Sequence, residues 1–113
     1  MTILYKICAS AEWKDATAAG TYAGSAVDRR DGFIHLSTAA QVRETARRHF
    51  AGQNDLVLVA FDEASLGSAL RYEPARGGAL FPHFYGQLNP GQASWVRPLP
   101  MGPAGEHIFP ELA

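Results

Sequence analysis

Residues 56–61 read Leu-Val-Leu-Val-Ala-Phe, with Asp55 before them and Asp62 after, and no other stretch constrains the fold so strongly. A strand with one wet face alternates polar and apolar residues, so a run without alternation belongs to a strand covered on both faces. The run therefore predicts the central strand of a sheet with packing layers above and below it. Hydrophobic residues make up 47% of the chain and charged residues 19%, which is enough apolar surface for such layers and too little charge for disorder. A chain of 113 residues falls in the range of one domain, taken as 1–113, that folds without disulfides.

The other segments supply strands and covers. Residues 3–8 read as a first strand. Residues 11–19 are rich in helix formers, with Ser10 as the expected N-cap, Gly20 as the stop, and Trp13, Ala16 and Thr17 on one face. Residues 20–32 form a Gly- and Asp-rich excursion with room for one helical turn. Residues 33–36 form a second strand, and Ser37-Thr38 is expected to launch a helix reaching Phe50, with Thr38 and Gln41 at capping-box spacing. Val42, Ala46, His49 and Phe50 then share the face laid on a sheet. Residues 70–73, 80–85 and 95–97 complete the strands. The tail contains Pro98, Pro100, Pro103 and Pro110 and has an edge strand expected at 106–109. The class is α+β.

Charge narrows the function. A formal net charge of −1 leaves no basic surplus for phosphate neutralisation, which argues against nucleic-acid partners. Arg43, Arg47 and Arg48 surround Glu44 and read as a solvated helix face. The single Cys8 has no partner for a disulfide or a thiolate metal site, and the reading is of a cytoplasmic protein. Residues 2–7 resemble a strand rather than a secretory leader, and no apolar stretch approaches the roughly 20 residues of a membrane span. None of the four histidines has the spacing of a helical zinc motif, so no metal is expected.

Two places can carry chemistry. His35 precedes Ser37-Thr38 at a strand-to-helix junction, where backbone donors can hold a phosphate or a ribose; the alternative is a core histidine beside a simple cap. In Phe81-Pro82-His83-Phe84-Tyr85-Gly86, His83 and Tyr85 face one side of an extended segment. They form either a ligand wall or ordinary core packing. Arg71 and Glu73 share a strand face and offer either a clamp and an acid–base group or a surface ion pair. His49, in the last turn of its helix, and His107, in the tail, carry less signal.

The strings Asp31-Gly32-Phe33-Ile34-His35-Leu36-Ser37-Thr38, Gly52-Gln53-Asn54-Asp55-Leu56-Val57-Leu58 and Leu80-Phe81-Pro82-His83-Phe84-Tyr85-Gly86 resemble, in that order, the small bacterial proteins grouped as domain of unknown function 952. That family is in turn similar to the ADP-ribosylation fold, a compact split sheet of mixed or antiparallel strands with two main helices. The resemblance implies a nucleotide site with NAD as a possible substrate. In it His35 and Ser37 match a His-x-Ser ribose-binding element, with Leu36 replacing the usual glycine, and Tyr85 is the stacking aromatic. Arg71 joins these as a binding residue. His83, with Glu73 or Glu106 as the carboxylate, forms the catalytic set. The resemblance leaves two functions open: an NAD- or ADP-ribose-handling enzyme, and a non-catalytic module that binds a nucleotide or another small phosphorylated metabolite.

Overall fold

The computed structural model describes residues 1–112, the side chain of Arg76 excepted. Strand β1 (Ile3–Ala9) leads directly into helix α1 (Ser10–Ala19); after a loop come helix α2 (Ala26–Asp31) and the short strands β2 (Ile34–His35) and β3 (Ser37–Thr38). Helix α3 (Val42–His49) is followed by β4 (Leu56–Asp62), the single turn α4 (Glu63–Leu66), β5 (Leu70–Pro74), β6 (Leu80–Phe84) and β7 (Ala93–Leu99).

The apolar run lies where its composition requires. β4 is an inner strand of a four-stranded sheet of order β3-β1-β4-β7, antiparallel to β1 from Ile3↔Asp62 to Ala9↔Leu56 and antiparallel to β7 on its other edge. Leu58, Val59, Ala60 and Phe61 are fully buried. One face packs with Trp13 and Ala16 of α1 and with Tyr22, Leu66, Phe84 and Leu88; the other packs with Val42 and Ala46 of α3, and with Phe109 and Leu112 of the tail. Burial of a large aliphatic or aromatic side chain contributes about 1.5–3 kcal/mol, so these two layers are the main cohesive term. Pro98 sits on β7, an edge strand, which tolerates a residue without an amide proton.

A second, three-stranded antiparallel sheet has the order β2-β6-β5. Pro82 lies in its middle strand. Its carbonyl accepts from the Leu36 amide, just beyond the end of β2, so the missing N–H falls where that ladder stops.

Four local expectations are corrected. Ser10 is the first helical residue rather than the N-cap: Ala9 caps α1 without a side-chain bond, and the Ser10 amide donates to the Asp55 carbonyl at 2.7 Å. Thr17 is exposed on that helix, while Trp13 and Ala16 are buried. Ser37-Thr38 does not launch a helix. The outer edge of β1 takes these two residues as β3, in the register Leu4↔Thr38 and Tyr5↔Ser37. Only half of the capping box survives, with the Thr38 amide donating to Gln41 Oε1, and α3 begins at Val42. In the tail, residues 106–109 do not form an edge strand; a single bridge, Met101↔His107, closes a small turn there. In the excursion at 20–32, the helical turn is α2, fixed by a capping box between Ser25 and Asp28.

Tyr5 is almost fully buried against Trp95, yet its hydroxyl has no hydrogen-bond partner among the described residues. An unpaired buried hydroxyl costs about 1–3 kcal/mol, and phenylalanine keeps the ring without it. Tyr5→Phe is therefore expected to raise the unfolding free energy by about 1 kcal/mol in denaturant titration. A loss of stability would reveal a partner for the hydroxyl.

Candidate functional site

Residues 34–38 change sheets at Leu36, and the site grows from that change. Because the Leu36 amide turns to β6, the backbone of His35 points the other way, toward the gap between the sheets. A buried amide and carbonyl need partners, and the chain supplies them with side chains. Asp28 Oδ1 accepts from the His35 amide at 3.1 Å, and the Lys6 ammonium donates to the His35 carbonyl at 3.2 Å. Lys6 and Asp28 are bonded to each other at 2.7 Å, both buried. An ion pair thus replaces strand pairing where the sheet splits.

Asp28 is the hub. Its Oδ1 also lies 2.6 Å from His35 Nδ1, and its Oδ2 accepts the Ser25 amide of the capping box at 2.9 Å. Burial pushes the Asp28 carboxyl up, but His35, Lys6 and the Ser25 amide together outweigh it and hold the group well below its ordinary range. The other nitrogen of His35, Nε2, lies 3.1 Å from Asp31 Oδ2. A ring between two carboxylates donates to both only when doubly protonated. Asp31 is exposed at the end of α2, so a ligand reaching His35 Nε2 has to displace it.

His83 lies opposite His35 in the β2–β6 register, with ring centroids 5.6 Å apart. Phe33 joins them, stacked on His83 at 4.0 Å and tilted toward His35 at 4.6 Å and Tyr85 at 5.4 Å. The register Arg71↔His83 on β5 brings up the remaining groups. Glu73 Oε1 takes His83 Nδ1 at 2.8 Å and the Tyr85 hydroxyl at 2.6 Å, and Arg71 lies over the Tyr85 ring at 5.2 Å. The bond from Tyr85, then that from His83, holds the Glu73 carboxyl below its ordinary value, and the same bond to Glu73 raises Tyr85. A carboxylate only accepts, so Nδ1 carries the proton and a neutral His83 ring presents a lone pair at Nε2. That atom has no hydrogen-bond partner among the described residues.

A cleft of about 600 Å³ opens at the split, lined by His35, His83, Ser37, Asp28, Asp31 and Phe81, with Lys6 to Ala9 of β1 along one side. The structure thus gathers His35, His83, Glu73, Tyr85 and Arg71 into one cluster. Glu106 is not part of it: with His107 it lines a separate cavity beside Arg43 and Arg47, because the tail folds over α3. Ser37 borders the cleft, and its hydroxyl bonds Thr45 Oγ1 of α3 at 3.1 Å. Cys8 is buried, which pushes its thiol up to about 11 and makes it a poor nucleophile. Among the described residues, no group of three or more His, Cys, Asp or Glu side chains is placed to hold a metal ion. Among the described residues, no helix is long and apolar enough to cross a membrane.

Sequence reasoning missed Lys6, Asp28, Asp31 and Phe33 as parts of the site. Lys6 did leave a signal: it is the one charge in a strand whose other residues are apolar on both faces, which implies a buried partner.

Fold and site define a small α+β protein of two antiparallel sheets with a histidine–carboxylate cleft where they part. The family model described as Protein of unknown function (DUF952) matches residues 7–96, and the chain belongs to that family. The X-ray crystal structure of protein CC0527 from Caulobacter crescentus is similar, at 45% identity and a TM-score of 0.91, over 95% of this chain and 94% of that one. The solution NMR structure of CC0527 from the same organism matches at 46% identity and a TM-score of 0.85, over 94% and 91% of the two chains. No curated protein matches the chain at a significant level.

Proposed function

We propose that the cleft takes a nucleotide of the NAD or ADP-ribose type and that His83, oriented by Glu73, is its proton-transfer group. One observation carries this reading: the 2.8 Å bond between His83 Nδ1 and Glu73, with Nε2 unpartnered on a residue that lines the cleft. A histidine held by a carboxylate through one nitrogen and open at the other is the arrangement of a general base. Phe33, stacked on His83, and Tyr85 beside it offer aromatic surface next to the cleft, and His35 Nε2 becomes reachable once Asp31 moves aside. His35, Ser37, Tyr85 and a carboxylate also answer to the set implied by the ADP-ribosylation resemblance, with Glu73 rather than Glu106 as the acid. In such a reaction the bond between the ribose carbon and nicotinamide breaks, nicotinamide leaves with the bonding pair, and a water oxygen bonds to that carbon. His83 Nε2 takes the water proton, and an anionic Glu73 opposes the positive charge developing on the sugar.

Thermal denaturation with NAD, ADP-ribose and AMP at millimolar levels tests this reading, since a ligand that binds only the folded state raises the melting temperature with its saturation. The expected result is a rise with NAD together with release of nicotinamide. A rise without release supports a non-catalytic nucleotide-binding module, and no rise with any of the three overturns the nucleotide reading.

A further inference from the structure

The change of sheets at Leu36 leaves part of β1 without a neighbour. Along β1, the Thr2 carbonyl and the Ser10 amide both face β4, where they bond Glu63 and Asp55 at 2.9 and 2.7 Å. Backbone groups alternate sides in an antiparallel ladder, so those of Leu4, Lys6 and Cys8 face β4, while those of Tyr5, Ile7 and Ala9 face the opposite edge. On that edge β3 meets only Leu4 and Tyr5. Continued in the same register, β3 would set His35 against Ile7, but His35 belongs to the other sheet. Ile7 is 4% exposed and lines the cleft, and its outward amide and carbonyl have no hydrogen-bond partner among the described residues. Buried backbone groups are almost always paired. A buried donor and acceptor side by side on a cleft wall are therefore groups a ligand can satisfy.

We infer that Ile7, with the Ala9 amide beside it, is the subsite for a planar amide-type edge, a flat group carrying an N–H donor next to an acceptor. Within the nucleotide reading above, on which this rests, that chemistry has two sources: the carboxamide of nicotinamide and the amino edge of adenine. The length of the edge favours a ring over a peptide. It is closed by β3 at Tyr5 and by α1 at Ser10, so only Ile7 offers a full donor–acceptor pair, whereas strand addition draws its affinity from repeated pairs. Phe50, Leu56 and Phe81 line the same cleft and provide apolar surface for a ring. An analogue that keeps the ring but lacks the N–H leaves the Ile7 carbonyl unpaired and should be rejected.

Amide-resolved NMR of the full-length chain tests the inference with nicotinamide, 3-acetylpyridine, adenine and purine as separate probes. Nicotinamide or adenine is expected to shift the Ile7 and Ala9 amides saturably, and the partner probe lacking the N–H to bind at least tenfold more weakly. Whichever pair responds identifies the source. Equal responses within both pairs, no response at Ile7 and Ala9, or a response there only to N-acetyl-trialanine amide would each overturn it, the last in favour of strand addition. NAD added separately reports on the nucleotide reading through His35 and His83. If NAD perturbs those rings while Ile7 and Ala9 stay silent to every probe, the subsite fails and the nucleotide reading stands; if nicotinamide or adenine moves Ile7 and NAD moves neither ring, the reverse holds.

Discussion

Asp28→Ala is expected to destabilise the protein by about 3–5 kcal/mol in equilibrium unfolding, the usual cost of removing one partner of a buried ion pair. Against a total stability of about 5–15 kcal/mol for a typical domain, that is a large fraction. Three losses coincide. The Lys6 ammonium stays buried without its anion, the His35 amide loses its acceptor, and α2 loses the reciprocal half of its capping box. Replacing both charges, as in Lys6→Met with Asp28→Leu, often restores stability when an ion pair merely fills a core. Here it should not, because the His35 amide and carbonyl would both remain unpaired at the split. Acidity gives an independent readout. Since the folded state holds the Asp28 carboxyl below its ordinary value of 3.8, its contribution is fully present above about pH 4 and is lost as pH falls below that. Asp28→Asn should flatten that part of the acid-stability curve. A change under 1 kcal/mol on Asp28→Ala would mean that the split is held by other contacts.

How much of this was legible in the sequence depended on the range of the interaction. The β4 run could be read because its surroundings are the same on both faces, so composition alone reports them. His83 and Tyr85 could be paired because a strand places alternate residues on one side. Asp28 could not be found in this way: a buried carboxylate and an exposed one are the same letter, and the Gly- and Asp-rich stretch around it looks like any solvated turn. Its depth is decided by Lys6, a residue far away in the chain. Ser37 and Thr38 were misplaced for a related reason. Their local capping pattern competes with the open edge of β1, and the edge wins because it satisfies backbone groups on both strands. Which of Glu73 and Glu106 stands beside His83 was likewise a matter of strand pairing, through the Arg71↔His83 register.

That register also sets the largest expected effect on activity. On the proposed nucleotide reading, His83→Ala is expected to slow nicotinamide release from NAD by about 10²–10⁴-fold, the range of a general acid–base group, while NAD still raises the melting temperature, since His35 and the rest of the cleft lining remain. Glu73→Gln should act through the ring rather than on the substrate. A glutamine side chain can offer its N–H to Nδ1 and so turn the donating nitrogen toward the cleft, the wrong tautomer for a base. Glu73 is one-third exposed, so this variant should fold normally and lose most of its turnover. It also carries a spectroscopic marker. The Tyr85 hydroxyl is raised chiefly by its bond to Glu73, so its absorbance titration should move back toward lower pH when the charge is removed. Release at the unaltered rate in a folded His83→Ala protein would place the chemistry elsewhere in the cleft. A Glu73→Gln protein in which the Tyr85 titration moves while turnover holds would separate the hydrogen-bond network from catalysis, leaving Glu73 as a structural anchor of β5 against β6.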